Sequence, residues 1–178
     1  LVADLPEGFA VIGAGRITEH NPKPDENTDC LPLIAEWCDV KLQFTQGVPR
    51  GYMSRNVTHP NFQRLNLGRI TALIRMLLAR KQLYYGVFAV ARNGYRPAEK
   101  MLRKLHFARR HHTWNCRDRG SAKPAKVRLY TYDLTAEPCG IGHYLHKTVA
   151  DIELKHNIRV HLPKEMRHVY TGGWCKSV

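Results

Sequence analysis

Acidic residues are almost missing from the middle of this chain. Between Lys41 and Arg128, twenty lysines and arginines face only Glu99 and Asp118, so these 88 residues carry +18. Two carboxylates in that span argue against a metal-dependent nuclease or phosphoryl-transfer site built there, because such chemistry needs several acids to hold the ion. Long apolar runs are missing too. Arg75, Arg80 and Arg92 interrupt the hydrophobic stretches, and none reaches the roughly 18 consecutive apolar residues of a membrane span. The five cysteines, Cys30, Cys38, Cys116, Cys139 and Cys175, include no C-x-x-C pair, which argues against a disulfide framework and for reduced thiols. His111 and His112 lie near Cys116, but a structural zinc site wants a second ligand pair, so no metal is expected. The glycines Gly13 and Gly15 lack the third glycine and following helix of a dinucleotide-binding turn. No secretory signal is present, and the sequon Asn56-Val57-Thr58 reads as chance. The first residue is Leu1, which suggests a processed or truncated N-terminus.

The charge that is present is local. Residues 1–40 carry −6 and residues 129–178 carry +1. A cationic field this concentrated repels itself unless a polyanion neutralises it, and the commonest polyanion is nucleic acid. With 178 residues, 43% of them hydrophobic, the chain can build one domain with a core.

Hydrophobic periodicity outlines the elements. A turn and a short apolar strand end at Gly13-Ala14-Gly15; residues 20–30, with two prolines, read as a linker, and an amphipathic element follows over 31–37. Asn66 is the expected N-cap of a helix whose stripe is Leu67, Ile70, Leu73, Ile74, Leu77 and Leu78, with Arg69, Arg75, Arg80 and Lys81 on other faces. Tyr84 to Ala91 reads as a strand turned by Arg92-Asn93-Gly94. A second helix with Pro97 in its first turn runs past Ala108 to Arg110, lined by Met101, Leu102 and Leu105. The segment 126–134 alternates as a half-buried strand, a third helix covers about 143–156, and Ile158, Val160 and Leu162 form a last strand. The pattern predicts an α+β or α/β class: a small mixed sheet, about three helices and extended basic segments. The expected organisation is an acidic N-terminal extension over 1–40, a basic extended strap over 41–64, and a globular mixed domain over 65–178 with a basic loop at 109–126.

The residues expected to meet RNA come from this basic region. Arg50, Tyr52, Arg55, Arg64 and Arg69 surround a Pro- and Gly-rich stretch where arginine contacts phosphate and an aromatic ring stacks on a base. Arg103, Lys104, Arg109 and Arg110 form a second cationic face. Trp114 with Arg117, Arg119 and Lys123 supplies a loop that reaches irregular RNA. Ten histidines invite a catalytic reading, but a lone histidine more often packs or faces solvent.

Patches of the sequence resemble a known family. Residues 65–74, Leu-Asn-Leu-Gly-Arg-Ile-Thr-Ala-Leu-Ile, are similar to the start of the post-tail helix in mitochondrial forms of universal large-subunit ribosomal protein fifteen. Pro49-Arg50-Gly51-Tyr52 resembles that family's Pro-basic-x-Gly-aromatic turn, one residue shorter. Ala125-Lys126-Val127-Arg128-Leu129 and the helix ending Ala150-Asp151-Ile152-Glu153 resemble its C-terminal strand and helix. The family's Gly- and Arg-rich tail is absent, and Asn157-Ile158 stands where a glycine pair is expected. The resemblance implies a structural, non-enzymatic component of a mitochondrial ribosomal large subunit. Its partners would be ribosomal RNA and neighbouring ribosomal proteins, with no cofactor, no small-molecule substrate and no membrane span. The alternatives are an RNA-binding ribosome assembly factor and a nucleic-acid-processing enzyme.

Overall fold

The computed structural model describes residues 2–5, 8–20, 49–116, 125–135, 140–163 and Met166. They form an α+β structure of two sheets and three helices. A three-stranded antiparallel sheet joins β1 (Val2–Leu5), β2 (Gly8–Val11) and β8 (Arg159–His161) in the order β2-β1-β8. The larger sheet joins β3 (Gly13–His20), β4 (Arg50–Thr58), β5 (Gly86–Arg92), β6 (Ala108–Cys116) and β7 (Ala125–Asp133) in the order β3-β4-β5-β7-β6. Its pairs are antiparallel except β4 with β5. A parallel pair needs a crossover rather than a hairpin. Helix α1 (Leu67–Lys81) supplies it.

Helix α1 packs across β3 and β4 and against α3 (Gly140–His156). Being covered on both sides, it is buried from Ile70 through Leu77, including the positions between the stripe residues. Arg75, which the periodicity places off the apolar face, is therefore only 4% exposed. Strand β5 is also covered on both faces, with Gly86, Val87, Phe88 and Ala89 all buried. That explains its unbroken apolar run. Burying Phe88 completely contributes about 2–3 kcal/mol.

The second helix is shorter than its charge pattern suggests. Helix α2 spans Arg96–Lys104, because His106 turns left-handed at φ 60°. The His106 amide then bonds back to the Arg103 carbonyl at 3.0 Å and the Phe107 amide to the Leu102 carbonyl at 3.0 Å. This pair of bonds closes the helix, and Leu102 and Phe107 on either side of the turn are both buried in the core. Arg109 and Arg110 consequently lie on β6, and the expected loop from His111 is strand as far as Cys116.

Within the span 1–40, residues 2–20 contribute three strands, with Ala3 and Ile12 at 0% exposure in the core. Within 41–64, Arg50–Thr58 is an interior strand with Gly51 and Met53 buried. The expected linker after His20 and the element at 31–37 lie outside the described residues.

Candidate functional site

Strands β4 and β5 begin as partners and then separate. Their register holds for three pairs, Arg50↔Gly86, Gly51↔Val87 and Tyr52↔Phe88. Beyond these, β4 continues with β3 to Thr58, while β5 continues with β7 to Arg92. A register shift opposite Gly15 puts Arg55 and Asn56 of β4 against one residue of β3, and such a bulge bends its strand. The result is a cleft of about 1030 Å³ lined by Met53, Ser54, Asn56 and Thr58 on one side and Ala89 to Arg92 on the other. At its closed end the rings of Tyr52 and Phe88 stack with centroids 5.1 Å apart. Burial pushes the Tyr52 hydroxyl pKa up, with Arg16 opposing. Past the last pair, the facing edges of β4 and β5 no longer form a ladder with each other.

The two helices that follow β4 and β5 frame the opening. The first turn of α1 brings Leu67, Gly68 and Arg69, and α2 brings Pro97, Ala98, Lys100, Met101 and Lys104. Asn66 sits at the N-cap in the left-handed region, φ 60°, and its side chain makes no capping bond. With no acidic residue in that turn either, the helix start presents uncapped amides and the positive end of its dipole. Asn56 ties the walls together. Its Nδ2 donates to the Gly68 carbonyl at 3.1 Å and lies 3.6 Å from Met101 Sδ, while Thr71 Oγ1 donates to its Oδ1 at 2.5 Å.

Among the described residues, every charged side chain of the lining is cationic: Arg64, Arg69, Arg75, Arg92, Lys100 and Lys104. Arg69 lies 4.0 Å over the Tyr144 ring, and burial lowers its pKa, offset by Asp151. Arg75 donates from Nε to the Thr71 carbonyl at 3.0 Å and from Nη1 to the carbonyls of Ser54 at 3.0 Å and Arg16 at 3.2 Å. Desolvation lowers its pKa to about 10.

Of the residues expected to meet RNA, Tyr52, Arg64, Arg69 and Lys104 come together here. Arg103 and Lys104 also line a separate hollow of about 510 Å³ on α2 with Arg96, Glu99 and Lys100. Arg50 opens β4 beside Asp133 and Arg110, its pKa lowered chiefly by desolvation. Arg55 lies at the bulge of β4, Trp114 pairs with Val127 on β6, and Arg109 and Arg110 are exposed on the same strand. Arg117, Arg119 and Lys123 are outside the described residues. Charge counting missed Arg75, Asn56 and Lys100. The one sequence signal for Arg75 was a cation inside the run Leu73-Ile74-Arg75-Met76-Leu77.

No protein-family model matches the chain, and no curated protein resembles it in sequence. Solved structures match it in shape. Arabidopsis thaliana NAA60 with acetyl-CoA matches at 11% identity and TM-score 0.46, over 69% of this chain and 66% of that one. The NatC complex bound to Gag peptide and CoA matches at 10% identity and TM-score 0.48, over 69% and 61%. The ribosomal-protein-S18-alanine N-acetyltransferase of Escherichia coli matches at 9% identity and TM-score 0.42, over 66% and 94%. This chain thus spans about two thirds or less of the first two proteins.

The expected ribosomal protein is corrected by these findings. The matched structures are two proteins bound to acetyl-CoA or CoA and an N-acetyltransferase, none of them a ribosomal component. The expectations of a non-enzymatic role, of ribosomal RNA and ribosomal neighbours as partners, and of no small-molecule substrate fall with it, as do the assembly-factor and nucleic-acid-enzyme alternatives. The physical reason is that the matching patches were local. Pro49-Arg50-Gly51-Tyr52 leads into strand β4 rather than forming a turn, and leucines at helical spacing in 65–74 describe many buried helices.

Proposed function

We propose that this chain is an acyltransferase that takes its acyl group from a coenzyme A thioester and delivers it to an amine. The observation that carries the reading is the opening between parallel strands β4 and β5, with the uncapped start of α1 at its mouth. A ligand suited to that opening is elongated, anionic at one end and amide-bearing along its length. Coenzyme A has this anatomy. Its diphosphate suits the α1 amides with Arg64, Arg69 and Lys100 nearby. Its pantetheine arm carries two amides that can bond to an unpaired strand edge as an added strand would.

The thioester supplies an activated carbonyl. The amine nitrogen attacks it, the new C–N bond forms as the C–S bond breaks, and the proton lost by the amine balances the departing thiolate. Six cations and no acid disfavour the ammonium form of an acceptor, which leaves the amine nucleophilic. Tyr52, kept protonated by burial, provides a hydroxyl donor at the closed end for the charge that develops there.

Calorimetric titration with coenzyme A, followed by thiol release from acetyl-CoA in the presence of an amine panel, tests the reading. Saturable binding that weakens with salt is expected, and Lys100→Ala and Lys104→Ala should each raise Kd about 2- to 5-fold at low salt. An absence of coenzyme A binding at millimolar concentration would sink it.

A further inference from the structure

Arg75 is a fixed cation with no acidic side chain beside it among the described residues. It is 4% exposed, lies in the stretch of α1 that is buried from Ile70 through Leu77, and lines the cleft. Three carbonyls from α1, β3 and β4 bind Nε and Nη1, so the plane of the group is locked. Among the described residues, Nη2 has no hydrogen-bond partner. Gly15 at the bulge makes room for it: a Cβ there would lie 3.0 Å from Arg75 Cζ and Nε. The opposite wall is made of Ala89 and Ala91, whose small side chains leave space.

Position along the helix sets what the guanidinium meets. Arg75 is seven residues beyond Gly68, about 10 Å further along α1, and Ser54, which it grips, lies only two residues past the last β4–β5 pair. It therefore faces the inner end of the cleft, whereas Arg64, Arg69 and Lys100 sit at the mouth. If the diphosphate of coenzyme A lies at the mouth, the inner end receives the acyl group.

We propose that Arg75 is the anion-binding group of an acyl subsite at the inner end of the cleft, and that the acyl group it takes carries a carboxylate. This rests on the coenzyme A reading above. A buried cation without a counter-ion is costly, and carbonyl dipoles compensate it only in part. A carboxylate present in the bound ground state relieves that cost and accepts the remaining guanidinium donors in the geometry such pairs favour. Charge that develops only during reaction would leave the site uncompensated for most of the cycle. The lowered pKa of Arg75, with desolvation as its cause, agrees with the absence of an acidic partner.

The test compares donors on the unmodified protein: malonyl-CoA and succinyl-CoA against acetyl-CoA and butyryl-CoA, by thiol release and by Kd. The carboxylate-bearing donors should be favoured by about 10- to 100-fold, the range of a charged hydrogen bond. In Arg75→Lys and Arg75→Met that ratio should collapse toward one, a change that loss of a purely structural pin would not produce. Where Arg75→Met does not fold, the wild-type donor panel and Arg75→Lys decide. Binding of coenzyme A and acetyl-CoA without any preference for the carboxylate donors would overturn the subsite and leave the acyltransferase reading standing. Failure to bind coenzyme A at all would overturn both.

Discussion

The side chain of Asn56 reaches from strand β4 to helix α1, where its Nδ2 donates to the Gly68 carbonyl at 3.1 Å. The two residues are twelve apart in sequence and on opposite sides of the connection that enters the cleft. Asn56 also accepts from Thr71 Oγ1, so one amide holds the bulged strand against the first turn of the helix. Replacing Asn56 with Ala should cost about 1 kcal/mol of stability. Coenzyme A affinity should fall by more than that loss accounts for, because the mouth loses its fixed width. Urea denaturation and titration on the same variant check the two effects; equal affinity would show that the latch does not shape the mouth.

Leu83 is the reverse case, a side chain that weakens its position. It closes α1 in the left-handed region at φ 60°, with its own amide bonded to the Arg80 carbonyl and the Tyr84 amide to the Ala79 carbonyl. At 82% exposure its side chain gains little from burial. A non-glycine residue in this conformation is strained, and glycine is not. Leu83→Gly should raise stability by about 0.5–1 kcal/mol, read as a higher denaturation midpoint at unchanged slope.

At Gly86 the opposite outcome is expected. This residue opens β5 where it still pairs with both β4 and β7, and an added Cβ would lie 2.7 Å from the Tyr132 carbonyl oxygen. Backbone cannot yield as a side-chain tip can. Gly86→Ala should cost about 1–3 kcal/mol, and the closed end of the cleft should shift with it. A variant as stable as the wild type would show that β5 and β7 slide apart without penalty.

Asp133 gives the protein an acid-sensitive component. Bonds from the Thr135 hydroxyl at 2.6 Å and the Thr135 amide at 2.8 Å hold its carboxyl below the ordinary 3.8, with Arg50 adding to the effect. Because the folded-state value is depressed, the stabilisation is fully present above the unfolded pKa. It is lost as pH falls through the lower, folded value. Carbon-detected NMR titration should find Asp133 titrating below a free aspartate, and Asp133→Asn should flatten the stability profile below about pH 4. An ordinary titration midpoint would be falsifying.

Much of the secondary structure was legible because it follows local periodicity. Leu67 to Leu78 reads as a helix and Tyr84 to Ala91 as a strand without reference to anything distant, and α1 and β5 are found there. The end of α2 was not legible. Arg103, Lys104, Arg109 and Arg110 continue a basic helical pattern, whereas burying Phe107 in the core requires the left-handed turn at His106 that starts β6.

The sequence by itself determined the class of fold, the core stripe of α1 and the local excess of positive charge, since composition and spacing act locally. It left open where those cations gather, because the spacing of arginines and lysines along the chain does not say which of them meet in space. Tertiary structure decides that, gathering six of them at one cleft. The parallel pairing of β4 with β5 joins residues more than thirty positions apart, and their separation after Tyr52 and Phe88 makes the cleft. The same packing buries Arg75 inside a helix whose periodicity would have left it in solvent. No local pattern records a pairing between distant strands or the point at which it ends, because both depend on what lies beside each strand once the chain has folded.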